Sequence, residues 1–182
     1  MRTKTALLVF ALVALVQLMA PAYMAWRWED VLITGQRFEW ATAPVDPYDA
    51  LRGRYVDLQF KETSGPVLGD DVIEPGQTVY ALIEVGREGR AFVSGVTAAR
   101  PQQGAYVESR VHYVKDNIVH LGLPFKRYYL REDLAPAAEA AYRKHAEKEG
   151  IALVRVKDGY AVVEELLIQG LPLPEYLGRA TP

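Results

Sequence analysis

Val45-Asp46-Pro47-Tyr48-Asp49-Ala50-Leu51-Arg52-Gly53-Arg54-Tyr55-Val56-Asp57-Leu58-Gln59-Phe60 is the stretch on which the reading of this chain turns. Asp-Pro followed by Tyr-Asp predicts a turn, because proline presets φ and an Asp side chain bonds nearby backbone amides. A strand is then predicted from near Gly53. Val56, Leu58 and Phe60 alternate with Tyr55, Asp57 and Gln59, the period-two pattern of a half-buried strand. A bulge near Gly53 would re-aim the Tyr55 ring.

Working outward, more of the chain reads as strand and tight turn. Phe38 and Trp40 alternate with Arg37 and Glu39 in a first strand ending before Pro44, whereas Ser64 to Asp71 reads as loop by its Gly, Pro and Asp content. Glu74-Pro75-Gly76-Gln77 predicts a turn into Thr78–Val85, and Gly86-Arg87-Glu88-Gly89 closes that strand onto Arg90–Val96. Tyr106–Val114 and Ile118–Leu121 form a second pair, in which Val107, Ser109, Val111 and Tyr113 share one face and Glu108, Arg110 and His112 the other. Lys126–Leu130 is a further short strand. Ile151–Lys157 and Tyr160–Ile168 flank Asp158-Gly159, the dipeptide that a two-residue turn with positive φ requires. One soluble helix is predicted from about Leu134 to Glu149, with Asp133 as N-cap, Pro136 in the first turn and Gly150 as stop. Its stripe of Leu134, Ala138, Ala141, Tyr142 and His145 is thin, so the helix is expected to cover a sheet edge or an opening. Pro172, Pro174 and Gly178 predict a non-regular tail. The fold class is therefore mainly β (α+β), with an antiparallel sheet and one covering helix.

The N-terminus differs in kind. Residues 6–26 carry no charge and only one strongly polar side chain, Gln17. About 20 such residues span a hydrocarbon core of roughly 30 Å. Tyr23, Trp26 and Trp28 suit an interfacial aromatic belt, and Pro21 is tolerable near the far end. A cleaved signal peptide ending in Ala20-Pro21-Ala22 is the competing reading, but the apolar run continues past that site. Arg2 and Lys4 precede the span, while Arg27 beyond it is offset by Glu29 and Asp30. That asymmetry predicts a cytoplasmic N-terminus and an extracytoplasmic (periplasmic) domain. The division expected is an anchor over 1–27, a linker and first strand over 28–43, and a β-rich domain over 44–182.

The opening stretch also carries a resemblance. Gly53-Arg54-Tyr55-Val56-Asp57-Leu58-Gln59-Phe60, preceded by Pro44-Val45-Asp46-Pro47 and Leu51-Arg52, resembles the signature of the GDYxxLxY family of membrane-anchored proteins. Ile33-Thr34-Gly35, Lys126-Arg127-Tyr128-Tyr129 and Gly159-Tyr160-Ala161 extend it. Two signature positions depart, Arg54 for Asp and Phe60 for Tyr. The first reverses a charge, so no binding role of the family Asp carries over to position 54. The resemblance implies an N-terminal anchor and a β-rich domain, commonly associated with a polytopic membrane protein.

Composition removes several function classes. Three of the 21 basic residues and none of the 23 acidic ones lie in residues 1–27, which leaves 18 against 23 and a charge of −5 for the domain. A nucleic-acid binder needs a basic face. The chain has no cysteine, which excludes disulfides, thiolate catalysis and Cys-ligated zinc. His112, His120 and His145 are too scattered for a zinc motif, and Asp70-Asp71 and Glu164-Glu165 read as solvated charges. No metal or cofactor is expected. The only serines, Ser64, Ser94 and Ser109, sit in no nucleophile motif, so no catalytic residue is assigned. Arg52, Gly53, Arg54, Tyr55, Arg127 and Tyr128 are the candidate binding residues. The Lys126–Tyr129 cluster with Arg131 suits lipid head groups or an acidic partner, and equally a strand whose long side chains cover apolar surface. Arg52, Arg54 and Arg90 would join it in one basic patch. The function expected is a membrane-anchored extracytoplasmic binding or accessory module that docks on a membrane or envelope partner. An envelope-acting hydrolase with a fold-assembled site is the alternative.

Overall fold

A helix, α1 (Arg2–Thr34), carries the apolar segment straight into the domain. The computed structural model describes residues 2–43, 55–69 and 71–180. The helix ends where Thr34 Oγ1 turns back to the Asp30 carbonyl at 2.8 Å and Gly35 donates to the Val31 carbonyl at 2.9 Å. A Cβ at Gly35 would collide with that Val31 carbonyl and press on the Val156 backbone at 3.2 Å, so only glycine permits the junction. The chain passes directly into β1 (Gln36–Ala43), whose Phe38, Trp40 and Thr42 point inward.

The signature strand is split rather than continuous. β2 (Tyr55–Asp57) and β3 (Gln59–Phe60) flank Leu58, whose N–H donates to the Lys126 carbonyl at 2.7 Å. β2 pairs antiparallel with β9 (Arg127–Tyr129), whereas β3 pairs with β1. The stretch thus hands the chain from one sheet to another. The predicted alternation holds through the handover: Val56, Leu58 and Phe60 are all buried.

β4 (Ser64–Pro66), in the segment read as loop, pairs with β8 (Ile118–Gly122). The hairpin of β5 (Thr78–Val85) and β6 (Ala91–Thr97) and the pair of β7 (Ala105–Lys115) with β8 complete an antiparallel sheet ordered β4-β8-β7-β5-β6. Asp116 and Asn117 make the β7–β8 turn with φ of 50° and 62°. A bulge at His112 shifts the register, because Val111 opposes Leu121 but Tyr113 opposes His120. Tyr113 is thereby turned out of the face predicted for it and stacks on His120 at 4.2 Å.

The other large sheet runs β12-β11-β10-β1-β3. β10 (Gly150–Lys157) and β11 (Tyr160–Ile168) form the hairpin read from Asp158-Gly159, with φ of 52° and 90° at the turn. Its tip joins the first sheet through the Glu108 N–H to Gly159 carbonyl bond of 2.9 Å. Trp40, Phe60 and Phe125 meet edge-on and tilted at centroid distances of 5.1 to 6.0 Å inside one continuous core. Phe60 is buried there, so replacing a family Tyr with Phe removes a hydroxyl from an aromatic cluster.

α2 (Ala135–Glu149) begins one residue later than predicted, after a 3-10 turn over Glu132–Leu134. Asp133 does not cap it; the carboxylate is taken by Arg131 at 2.8 Å. Ala138, Ala141, Tyr142 and Ala146 are buried along its inner face. The Tyr142 hydroxyl donates to the Ala43 carbonyl at 3.0 Å and accepts from the Gln59 N–H at 3.2 Å, pinning β1 to β3. The tail is regular where irregularity was predicted. β12 (Leu171–Pro172) pairs with β11, and α3 (Leu173–Ala180) buries Leu173 and Leu177.

Candidate functional site

The exit of α1 is gripped by the β10–β11 hairpin. Lys157 Nζ reaches Asp30 Oδ2 and Thr34 Oγ1, both at 2.7 Å. The Arg27 guanidinium lies 3.8 Å over the Tyr160 ring, and Trp28 meets the same ring edge-on at 5.8 Å. Val31 is buried and Arg155 donates to the Gly35 carbonyl at 3.1 Å. The last two turns of the helix are therefore part of the domain.

Beside this junction lies an open cleft of about 690 Å³. That falls within the range of roughly 300 to 1,000 Å³ usual for ligand sites. Trp28 forms one wall, Pro124–Tyr129 another, and Ala161–Glu164 of β11 the remainder. The sequence segments contributing to it are far apart: the β2–β9 pair holds one rim and the hairpin that grips α1 holds the other. The walls are apolar with a few charged groups. Glu164 is neutralised in place by Arg155 at 2.8 and 3.0 Å and Arg37 at 3.4 Å. The Arg155 hydrogen bond outweighs the opposing effect of burial and holds its carboxyl below the usual range. A bulge makes this possible, since Leu153 opposes Glu165 but Val154 opposes Val163, leaving Glu164 as the extra residue.

Of the candidate binding residues, Arg52, Gly53 and Arg54 lie outside the described residues. Tyr55 and Arg127 are brought together: β2–β9 pairing sets Tyr55 opposite Tyr129, the two rings 5.7 Å apart, and the Arg127 guanidinium lies 4.7 Å over the Tyr55 ring. A hydrogen bond to Tyr129 and the Tyr55 phenol raise the Arg127 pKa further, so its charge is permanent. Tyr128 turns the other way. It is buried, and its hydroxyl donates to Glu165 Oε1 at 2.7 Å; burial first, then that carboxylate, pushes its pKa well up. Arg90 pairs instead with Glu39. The surface that results presents Lys126, Arg127 and the exposed Tyr129 at the mouth, with Tyr128 as its support. The basic character of Lys126–Tyr129 was readable from sequence, but Trp28 and β11 as opposing walls were not.

The serines are dispersed. Ser94 Oγ lies 3.5 Å from the Leu82 carbonyl, and Ser109 Oγ is buried with no hydrogen-bond partner among the described residues. Ser64 stands opposite His120 across the β4–β8 pair. Asp71 is held by structure rather than solvent, accepting from the Ala98 N–H at 2.8 Å and the Thr97 hydroxyl at 2.9 Å; these two bonds, the first the larger, lower its pKa. Asp70 lies outside the described residues.

α1 is long and apolar enough to cross a membrane. No curated protein and no solved structure matches the chain. A family model described as GDYXXLXY protein does match, over residues 17–166, from the second half of the apolar helix to β11. With that match covering most of its length, and a helix that fits a membrane anchor, the chain belongs to the GDYXXLXY family.

Proposed function

We propose that this protein is a membrane-anchored binding module whose domain stands on the extracytoplasmic side and docks on a membrane or envelope partner, a polytopic membrane protein among them, through the cleft beside α1. The observation that carries the reading is the position of Trp28. It lines the cleft and follows the last residue of the apolar run by two positions, about 3 Å of helix rise. A partner at the bilayer surface therefore meets Lys126, Arg127 and Tyr129 without any movement of the domain. Arg127, held over the Tyr55 ring, is the preorganised part of the rim, while Arg52, Gly53 and Arg54 precede Tyr55 in the chain. The side is argued from Arg2 and Lys4 ahead of the span.

A photoreactive residue at Tyr129 tests this in intact membranes, with one at Tyr113 as control. Tyr113 is also solvent-facing, on a different sheet. The reading expects one discrete adduct from position 129, lost in Lys126→Gln/Arg127→Gln, and digestion of the domain by protease added to spheroplasts. Equal labelling from both positions, or a domain protected until lysis, refutes it. The hydrolase reading draws only on Ser64 facing His120, and turnover abolished by Ser64→Ala would favour it.

A further inference from the structure

We infer that α1 pairs side by side with α1 of a second copy of this chain, through Gln17 and the backbone carbonyl that Pro21 leaves without its donor. The inference rests on the membrane-anchor reading and adds a partner for the span itself.

Two features meet at one residue. Gln17 is the only strongly polar side chain between Ala6 and Trp26, and it is exposed on the helix surface. It is the twelfth of those 21 residues, about 1.5 Å from the middle of the run. From there to Trp26 is about 14 Å along the axis, too far for a glutamine to reach water. The second feature is Pro21, inside the helix and four residues on. In a regular α-helix the N–H of residue 21 would bond the carbonyl of residue 17, and proline has none. Residue 17 thus presents an amide and an acceptor carbonyl at mid-depth, where no water is available and an unmet polar group is costly.

Gln17 is exposed, and among the described residues the contacts that hold the domain lie elsewhere on the helix. Arg27, Trp28, Asp30, Val31 and Thr34, which hold the domain, lie in the last turns of α1, at least ten residues beyond Gln17. A second copy fits because two parallel copies of a span place identical residues at identical depth. A two-fold axis between them sets each Gln17 amide, donor and acceptor at once, against the partner's amide and free carbonyl, closing the bonds in pairs. At 100° per residue, Phe10, Val13, Pro21 and Met24 share the Gln17 face, and the two small residues Ala14 and Ala20 border it, so the backbones come closest beside Gln17. Leu15 and Met19 are on the far side.

The cysteine-free sequence makes the test direct. Single-cysteine full-length variants are oxidised in carbonate-washed native membranes: Val13→Cys and Met24→Cys on the proposed face, Leu15→Cys and Met19→Cys on the other. The expected result is a disulfide-linked species of twice the 20.3 kDa chain mass from positions 13 and 24 only. Adding Gln17→Leu should weaken pairing about tenfold, about 1.4 kcal/mol, while Gln17→Asn retains it. Crosslinking independent of face, indifference to Gln17→Leu, or a heteromeric species at position 13 overturns the pairing alone. A chain stripped by carbonate overturns the anchor as well, so the two failures are told apart.

Discussion

Tyr142→Phe deletes one oxygen and tests how α2 holds the sheet. In the native domain that hydroxyl donates to the Ala43 carbonyl and accepts from the Gln59 N–H, which belong to opposite partners of the β1–β3 register. The ring is buried and phenylalanine refills it, so the loss is confined to the hydroxyl. Two part-buried backbone groups are left unmet, a cost of about 1 to 3 kcal/mol. For a chain of this size that lowers Tm by roughly 2 to 12 °C. The same residue supplies an alkaline signature. Burial pushes Tyr142 up to about 12 from an ordinary 10, so the folded state holds the proton more tightly than the unfolded one. Its contribution is complete below pH 10 and is lost as pH rises through about 12, at up to about 1.4 kcal/mol per pH unit. Tyr128 titrates higher still, so Tyr142→Phe keeps a residual alkaline slope, shallower than that of the wild type. Thermal melts of the full chain in detergent, followed by circular dichroism from pH 8 to 11, read both effects. An unchanged Tm at pH 8 with an undiminished alkaline slope would refute the clamp.

Other perturbations follow from the junction and the cleft. Gly35→Ala drives a Cβ into the Val31 carbonyl and the Val156 backbone, and should cost roughly 1 to 3 kcal/mol in urea unfolding. Lys157→Met removes both bonds to α1, so amide hydrogen exchange of residues 28–36 should accelerate while β5–β7 exchanges as before. Glu164→Gln should flatten the acid limb of stability: the lowered pKa of Glu164 stabilises the fold above the ordinary glutamate range and that contribution disappears as pH falls through the lowered value. Acid titration of urea midpoints for variant and wild type checks the sign.

The elements legible in the sequence are those whose turn chemistry is local. Asp158-Gly159 announced β10–β11, and Gly86–Gly89 announced β5–β6, because the dihedral demand and the residue that meets it are adjacent. β4 was hidden by the composition that made it possible. Gly65 reads as loop, yet a Cβ there would meet Val93 Cγ1 at 2.7 Å, so the glycine serves close packing rather than a turn. The bulges at His112 and Glu164 flipped the faces of Tyr113 and freed a carboxylate for two arginines, because an extra residue in one strand is set by its neighbour and not by its own pattern. At the candidate site the basic-aromatic rim was visible as Lys126–Tyr129, whereas its opposing walls come from residues 28 and 161–164, which only the packing of α1 against the hairpin brings near.

Because Gly35 alone separates α1 from β1, and Lys157 and Tyr160 bolt the helix to the hairpin, no swivel intervenes between the span and the sheet. The helix acts as an axle. Inserting one residue between Trp26 and Trp28 would turn the whole domain about 100° around that axle and lift it about 1.5 Å, aiming the cleft at a different sector of its surroundings.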